Sequence, residues 1–174
     1  MAHEVRFAAD QLRDGPLVAV HLGPDGLPSG ATAAACVAAT PQKVWSVVSD
    51  IASYAGNIPM ISKVTREGDR VQVHLKFRIS LFSVGFDFTA DGFYRENEWL
   101  EMRWVAGEPR NLAIRFDLAP AEGGTLVHAR CSFELASLGW LVKFFLKHHP
   151  EIQWGVFPGT ALTLLQSMRQ AAEK

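Results

Sequence analysis

The sequence predicts a single α+β domain in which a curved antiparallel β-sheet turns an uncharged, apolar face toward its helices. Three observations predict it. The chain has 174 residues, enough for one hydrophobic core and short of the length at which a second usually forms. From Ile61 to Leu135 apolar residues recur with period 2, whereas the flanking segments follow the 3.6 period of helices. Sorted by parity, the strand residues divide into one set without charge and another that carries the charges.

In chain order, residues 1–30 read as an N-terminal extension. They carry the turn signals Asp14-Gly15-Pro16 and Gly23-Pro24-Asp25-Gly26, with Leu17 to Leu22 between them as a candidate short strand. The domain proper, 31–174, opens with a small-residue strand over Ala31 to Ala39. Thr40-Pro41 then starts a helix, Thr as N-cap and Pro at the first helical position. That helix runs to about Asp50 and turns Val44, Val47, Val48 and Ile51 inward. Tyr54 to Met60 is short and irregular, interrupted by Gly56 and Pro59. The turn signals Gly68-Asp69, Glu96-Asn97, Gly107-Glu108-Pro109 and Glu122-Gly123-Gly124 then punctuate a meander of about six strands. Ser137 to Lys174 is helical, with breaks or kinks expected near Pro150 and Pro158-Gly159.

The uncharged strand set holds Val71, Val73, Leu75, Phe77 and Ile79, then Val84, Phe86, Phe88 and Ala90, then Leu100, Met102, Trp104 and Ala106. It continues through Leu112, Ile114, Phe116 and Leu118 to Val127, Ala129, Cys131 and Phe133. The opposite set, including His74, Asp87, Asp91, Glu101, Arg103, Arg115, Asp117, His128 and Arg130, interleaves both signs and reads as a solvated face. An apolar sheet face needs a cover, here the helix from Pro41 and the C-terminal helix. Alternation leaves two outcomes open: helices packed flush on the sheet, or a cavity suited to an apolar ligand.

Composition narrows the function classes. Hydrophobic residues at 48% and charged ones at 20% are ordinary globular values. A formal net charge of −1 offers no excess of Lys or Arg for a phosphate backbone, so nucleic acid is not an expected partner. Met1 to Asp10 lacks the apolar core of a signal peptide, and no apolar run reaches the roughly 18 residues of a membrane span, so a cytoplasmic location is the default expectation. Cys36 and Cys131 read as reduced thiols in apolar surroundings.

The stretch Ala39-Thr40-Pro41-Gln42-Lys43-Val44-Trp45, continuing to Asp50-Ile51-Ala52-Ser53-Tyr54 and Ile58-Pro59, resembles the opening of the START-like (SRPBCC) superfamily, of the polyketide cyclase and coenzyme Q-binding type. The resemblance covers about residues 31–172 and implies a helix-grip fold, a curved sheet of about seven strands wrapped around a long C-terminal helix. It also implies a deep cavity between sheet and helix. Gly56-Asn57 departs from the bulky aromatic common in relatives at that point, and residues 1–30 have no counterpart in the minimal fold.

The function this implies is binding or transfer of a hydrophobic small molecule, such as a lipid, quinone, sterol or polyketide-like compound. The expected lining is Phe77, Phe86, Phe88, Met102, Trp104, Ile114, Phe116, Cys131 and Phe133, with Tyr54 near the mouth and Leu165 from the last helix. The alternative is a polyketide cyclase or aromatase acting on a poly-β-ketone. It needs an acid, base or oxyanion donor within about 3 Å of the reacting atom, and the candidates are Tyr94, Arg95 and Tyr54. A β-bulge near Gly92 would bring Asp91 or Arg95 to the inner face and favour it. No cofactor is expected. His148-His149-Pro150-Glu151 has poor ligand spacing, so no metal is expected either. Residues 138–147, rich in Trp, Phe and Leu with Lys143 and Lys147 at the rim, read either as a helix covering the cavity or as an interfacial helix making transient membrane contact.

Overall fold

The structure, a computed structural model, describes residues 6–79 and 82–174, with the backbone alone described at 77–79 and 82–84. Eight strands form one antiparallel sheet: β1 Leu17–Leu22, β2 Pro28–Val37, β3 Ile61–Glu67, β4 Arg70–Ile79, β5 Phe82–Arg95, β6 Trp99–Gly107, β7 Arg110–Ala121 and β8 Gly124–Glu134. Their order across the sheet is β1-β2-β8-β7-β6-β5-β4-β3, so β3 to β8 are the expected six-stranded meander. The helices are α1 Pro41–Ser49, α2 Tyr54–Asn57, α3 Trp140–His148 and α4 Gln153–Ala172. A curved sheet gripping a long C-terminal helix is the helix-grip architecture.

The sheet has one strand more than the expected seven, because β1 pairs along β2 from Leu17↔Ala34 to Leu22↔Pro28. β2 begins at Pro28, three residues before the expected boundary at Ala31. Proline lacks the N–H of a ladder and is tolerated at the first position of a strand, which is where Pro28 stands. Helix α1 starts as expected: the Thr40 hydroxyl accepts the Lys43 N–H at 3.3 Å, and Pro41 is the first helical residue. The break at Pro150 is present, but α4 runs unbroken from Gln153 to Ala172 through Pro158. One missing backbone bond is offset there by the burial of Phe157 and Ala161 on either side.

Side-chain size decides where α4 sits. The inner positions of β2 are Ala31, Ala33 and Ala35, and those they meet on β8 are Cys131, Ala129 and Val127, all buried. These small residues let the helix approach closely, and Phe157, Leu164, Leu165 and Met168 fill the space above them. Toward β7 and β6 the inner residues become large: Ile114 and Phe116, then Met102 and Leu100. The helix is therefore fixed over the small-residue side of the sheet and leaves the large-residue side to other covers.

Candidate functional site

The expected lining residues divide into three groups. Phe88, Met102, Ile114 and Phe116 are buried on the inner face. Phe86, Trp104 and Phe133 are only half-buried and stand toward the end of the sheet nearest α3. Leu165, on α4, and Cys131, beneath that helix, are buried in the helix–sheet contact: the Cys131 sulfur is 3.7 Å from the Phe157 carbonyl, and burial pushes its thiol pKa up to about 12. Cys131 is thus a small apolar residue in the helix–sheet contact. Phe77 is on β4, opposite Val84 in register, and its side chain is outside the described residues.

The polar candidates near the inner face are already engaged. The Trp104 indole N–H donates to the Gly107 carbonyl at 3.0 Å. Gly107 holds that turn at φ +88°, where an added Cβ would collide with the Asp87 carbonyl, so the acceptor depends on glycine. Tyr54 differs from its expected place at the mouth. It is fully buried, its hydroxyl donates to the Val48 carbonyl at 2.6 Å, and burial together with Asp50 raises its pKa. Asn57 donates to Ser53 within the same turn, at 3.2 Å.

Tyr94 and Arg95 are not brought together with Tyr54. Tyr94 is on the inner parity, opposite Leu100, but sits at the exposed end of the sheet with its ring centroid 6.0 Å from that of Trp45. Arg95 is on the outer face and pairs with Glu98 at 3.1 Å. Asp91 is also outside, bound to the Arg70 guanidinium opposite it at 2.9 Å, which lowers its pKa. The β5–β6 irregularity falls at Thr89/Ala90, and the extra residue is Val105 on β6. It moves Ala106 from its expected inner position to sit opposite Thr89, and it leaves Asp91 and Arg95 where parity put them.

Residues 37–150 match the family described as polyketide cyclase / dehydrase and lipid transport. The chain belongs to that family. No curated protein matches it by sequence. Among solved structures, a conserved protein from Geobacillus kaustophilus is 16% identical with a TM-score of 0.65, covering 83% of this chain and 94% of that one. A START superfamily protein from Mycobacterium smegmatis is 19% identical with a TM-score of 0.60, covering 83% and 97%. An aromatase/cyclase from Streptomyces sp. R1128 is 15% identical with a TM-score of 0.57, covering 83% and 93%. At these identities the likeness is one of fold.

Within this polyketide cyclase and lipid transport fold, the helices add three residues that strand parity could not supply, beside Leu75, which it did. Val142 and Leu146 of α3, Val156 of α4 and Leu75 of β4 are half-buried and packed against the same core as Trp104 and Phe133. The spacing Val142, Leu146 was a signal, but its partner could not be read from one element. α3 itself buries none of its nine residues. Its orientation is set by Gly139, at φ +98°, a conformation open to glycine and strained for other residues.

The outer face is a charge lattice. Glu101 accepts from Arg103 at 2.9 Å and from Arg115, directly opposite it in register, at 3.3 Å. Arg115 also binds Asp117 at 2.7 Å and lies 4.6 Å over the Trp99 ring. These contacts hold Glu101 below the usual carboxylate range. They order the solvated face and leave the inner one uncharged. Among the described residues no three His, Cys, Asp or Glu side chains could hold a metal; His149 pairs with Glu151 at 3.0 Å.

Proposed function

We propose that this protein binds or transfers a hydrophobic small molecule, of lipid, quinone, sterol or polyketide-like chemistry, held between the large-residue side of the sheet, α4 and α3. One observation carries the reading: the inner-face residues Leu75, Phe86, Trp104 and Phe133 are only half-buried and cannot ionise, and α3, whose Val142 and Leu146 pack against the same core, buries none of its own residues. Burying apolar surface stabilises by about 25 cal/mol per Å², so a strip left part-open by the fold is one that an apolar guest completes. The inward hydroxyl, indole and thiol groups of Tyr54, Trp104 and Cys131 are engaged with backbone carbonyls, which favours holding a ligand over transforming it. Membership of a family named for lipid transport as well as cyclisation supports the class of ligand. Transient contact with a membrane through 138–147 is the route by which such a ligand would be exchanged.

Native mass spectrometry of the purified protein tests this. A co-purified apolar molecule, released by organic solvent, is the expected result. A bare protein whose melting temperature does not move with a lipid extract overturns the reading.

A further inference from the structure

We propose that α3 and the start of α4 form a docking surface for an anionic lipid bilayer. The proposal deepens the carrier reading by naming the surface that would supply or receive the ligand, but its evidence is separate. Trp140 is 79% exposed, Leu141 49%, Phe144 53%, Phe145 46%, Ile152 43% and Trp154 49%. These six lie within fifteen consecutive positions, while the other exposed large hydrophobics among the described residues are scattered over β1, β5 and β6. A contiguous apolar patch of this kind marks an interaction site, whereas single exposed apolar residues do not.

The helix is locked with this side outward. Val142 and Leu146, one turn apart, pack on the core, and Trp140, Leu141, Phe144 and Phe145 occupy the opposite arc. Phe144 and Phe145 meet edge to face with centroids 6.2 Å apart, so the exposed rings form one surface.

Charge selects the occupant. Between Glu134 and Glu151 the chain has no acidic residue, and α3 carries Lys143 and Lys147 one turn apart, on a molecule whose formal net charge is −1. A local positive rim around an aromatic patch, on an otherwise slightly acidic protein, complements an anionic interface. Lysine stems can lie along the apolar surface while their ammonium groups reach lipid phosphates. A second copy docked on the same patch by a two-fold axis would bring the lysines of both copies to one interface, so self-association is disfavoured. Tryptophan at both ends of the patch, Trp140 and Trp154, suits the headgroup layer, where an amphipathic ring meets apolar and wet surroundings together.

Vesicle flotation of the intact protein tests the surface, using phosphatidylcholine alone and about three parts phosphatidylcholine to one of phosphatidylglycerol. The protein should float with the mixed vesicles and not with the neutral ones, and raising salt from about 50 to 500 mM should release it. The double variant Lys143→Glu/Lys147→Glu should lose the preference for anionic vesicles. Trp140→Ala/Phe144→Ala should lower the bound fraction about tenfold at unchanged circular dichroism, since both side chains are exposed. Absence of flotation, or flotation untouched by either variant, overturns the proposal. So does concentration-dependent dimerisation abolished by Trp140→Ala, which would assign the patch to a second copy. Flotation by a protein that native mass spectrometry finds empty would sink ligand carriage and keep the docking surface; a co-purified ligand without flotation would do the reverse.

Discussion

The Tyr54 hydroxyl, 2.6 Å from the Val48 carbonyl in a fully buried site, gives a polar candidate a structural task. Deleting it leaves a buried carbonyl short of a partner, and such a loss costs about 1–2 kcal/mol. Tyr54→Phe should lower the unfolding free energy by that amount, read as a lower urea midpoint at an unchanged slope; an unmoved midpoint would show that the carbonyl is satisfied without the phenol. The family resemblance placed Tyr54 near a mouth, beside the breaks at Gly56 and Pro59. Those breaks were real, since α2 ends at Asn57, but a break does not tell which way the preceding side chain points. Cys131 had the opposite history. Its parity put it inside, and it is inside, but α4 covers it, so its raised thiol pKa reflects packing and not a reactive site. At this scale a residue's face was legible and its neighbour from another element was not.

At the scale of elements, the period of 2 survives because every strand from β4 to β8 keeps one face in the core, where a slip of one residue would bury the charged set. It fails at Val105, where β6 carries one residue more than β5 and Ala106 changes sides. The N-terminal extension was the least legible part, because turn signals around Gly15 and Gly26 resemble a linker and pairing partners are remote in sequence. It is in fact built into the sheet. Beyond β1, the Phe7 N–H donates to the His128 Nε2 at 3.0 Å and the two rings are stacked at 8°, across the outer face of β8. Accepting that bond requires Nε2 to be unprotonated. Burial holds the His128 pKa below its ordinary 6.5, with Arg6 and Arg130 adding to the effect and Asp117 opposing it. His21, bonded to the Thr32 hydroxyl at 2.7 Å on the adjoining β1–β2 edge, is lowered for the same first reason, with Arg130 adding. A histidine whose folded pKa is depressed contributes stability that is whole above the unfolded value and is lost as pH falls through the folded one. The N-terminal edge should therefore loosen below about pH 6. Limited proteolysis should cut around 6–16 faster at pH 5 than at pH 7.5; equal rates would mean that Leu12 and the ring stacking hold the segment unaided.

The whole molecule is asymmetric, and its asymmetry follows from residue size. Over β2 and β8 the small inner residues admit α4, and nearly every position of β2 is buried. At the other edge β3 buries only Ile61, and α3, which packs on the turn that follows β8, buries nothing. The order of elements was legible because it depends on period and punctuation, and the helix-grip form followed from the resemblance carried by the residues around Pro41 to Pro59. Which part of the apolar face is covered was not, because that depends on how closely one helix approaches a sheet in space. Local stability should track this division, since segments with few buried contacts open at lower free energy than the global transition. In amide exchange, β2 and β8 should be slowest, while β3 and α3 should exchange through local opening. An apolar guest in the proposed site touches the partly exposed strip and the inner side of α3, so it should slow exchange in α3, β4 and β5. It should slow β2 and β8 only as far as it raises global stability. Protection confined to β2 and β8 would place the guest elsewhere, and protection rising equally in every element would mean that it binds no particular part of the fold.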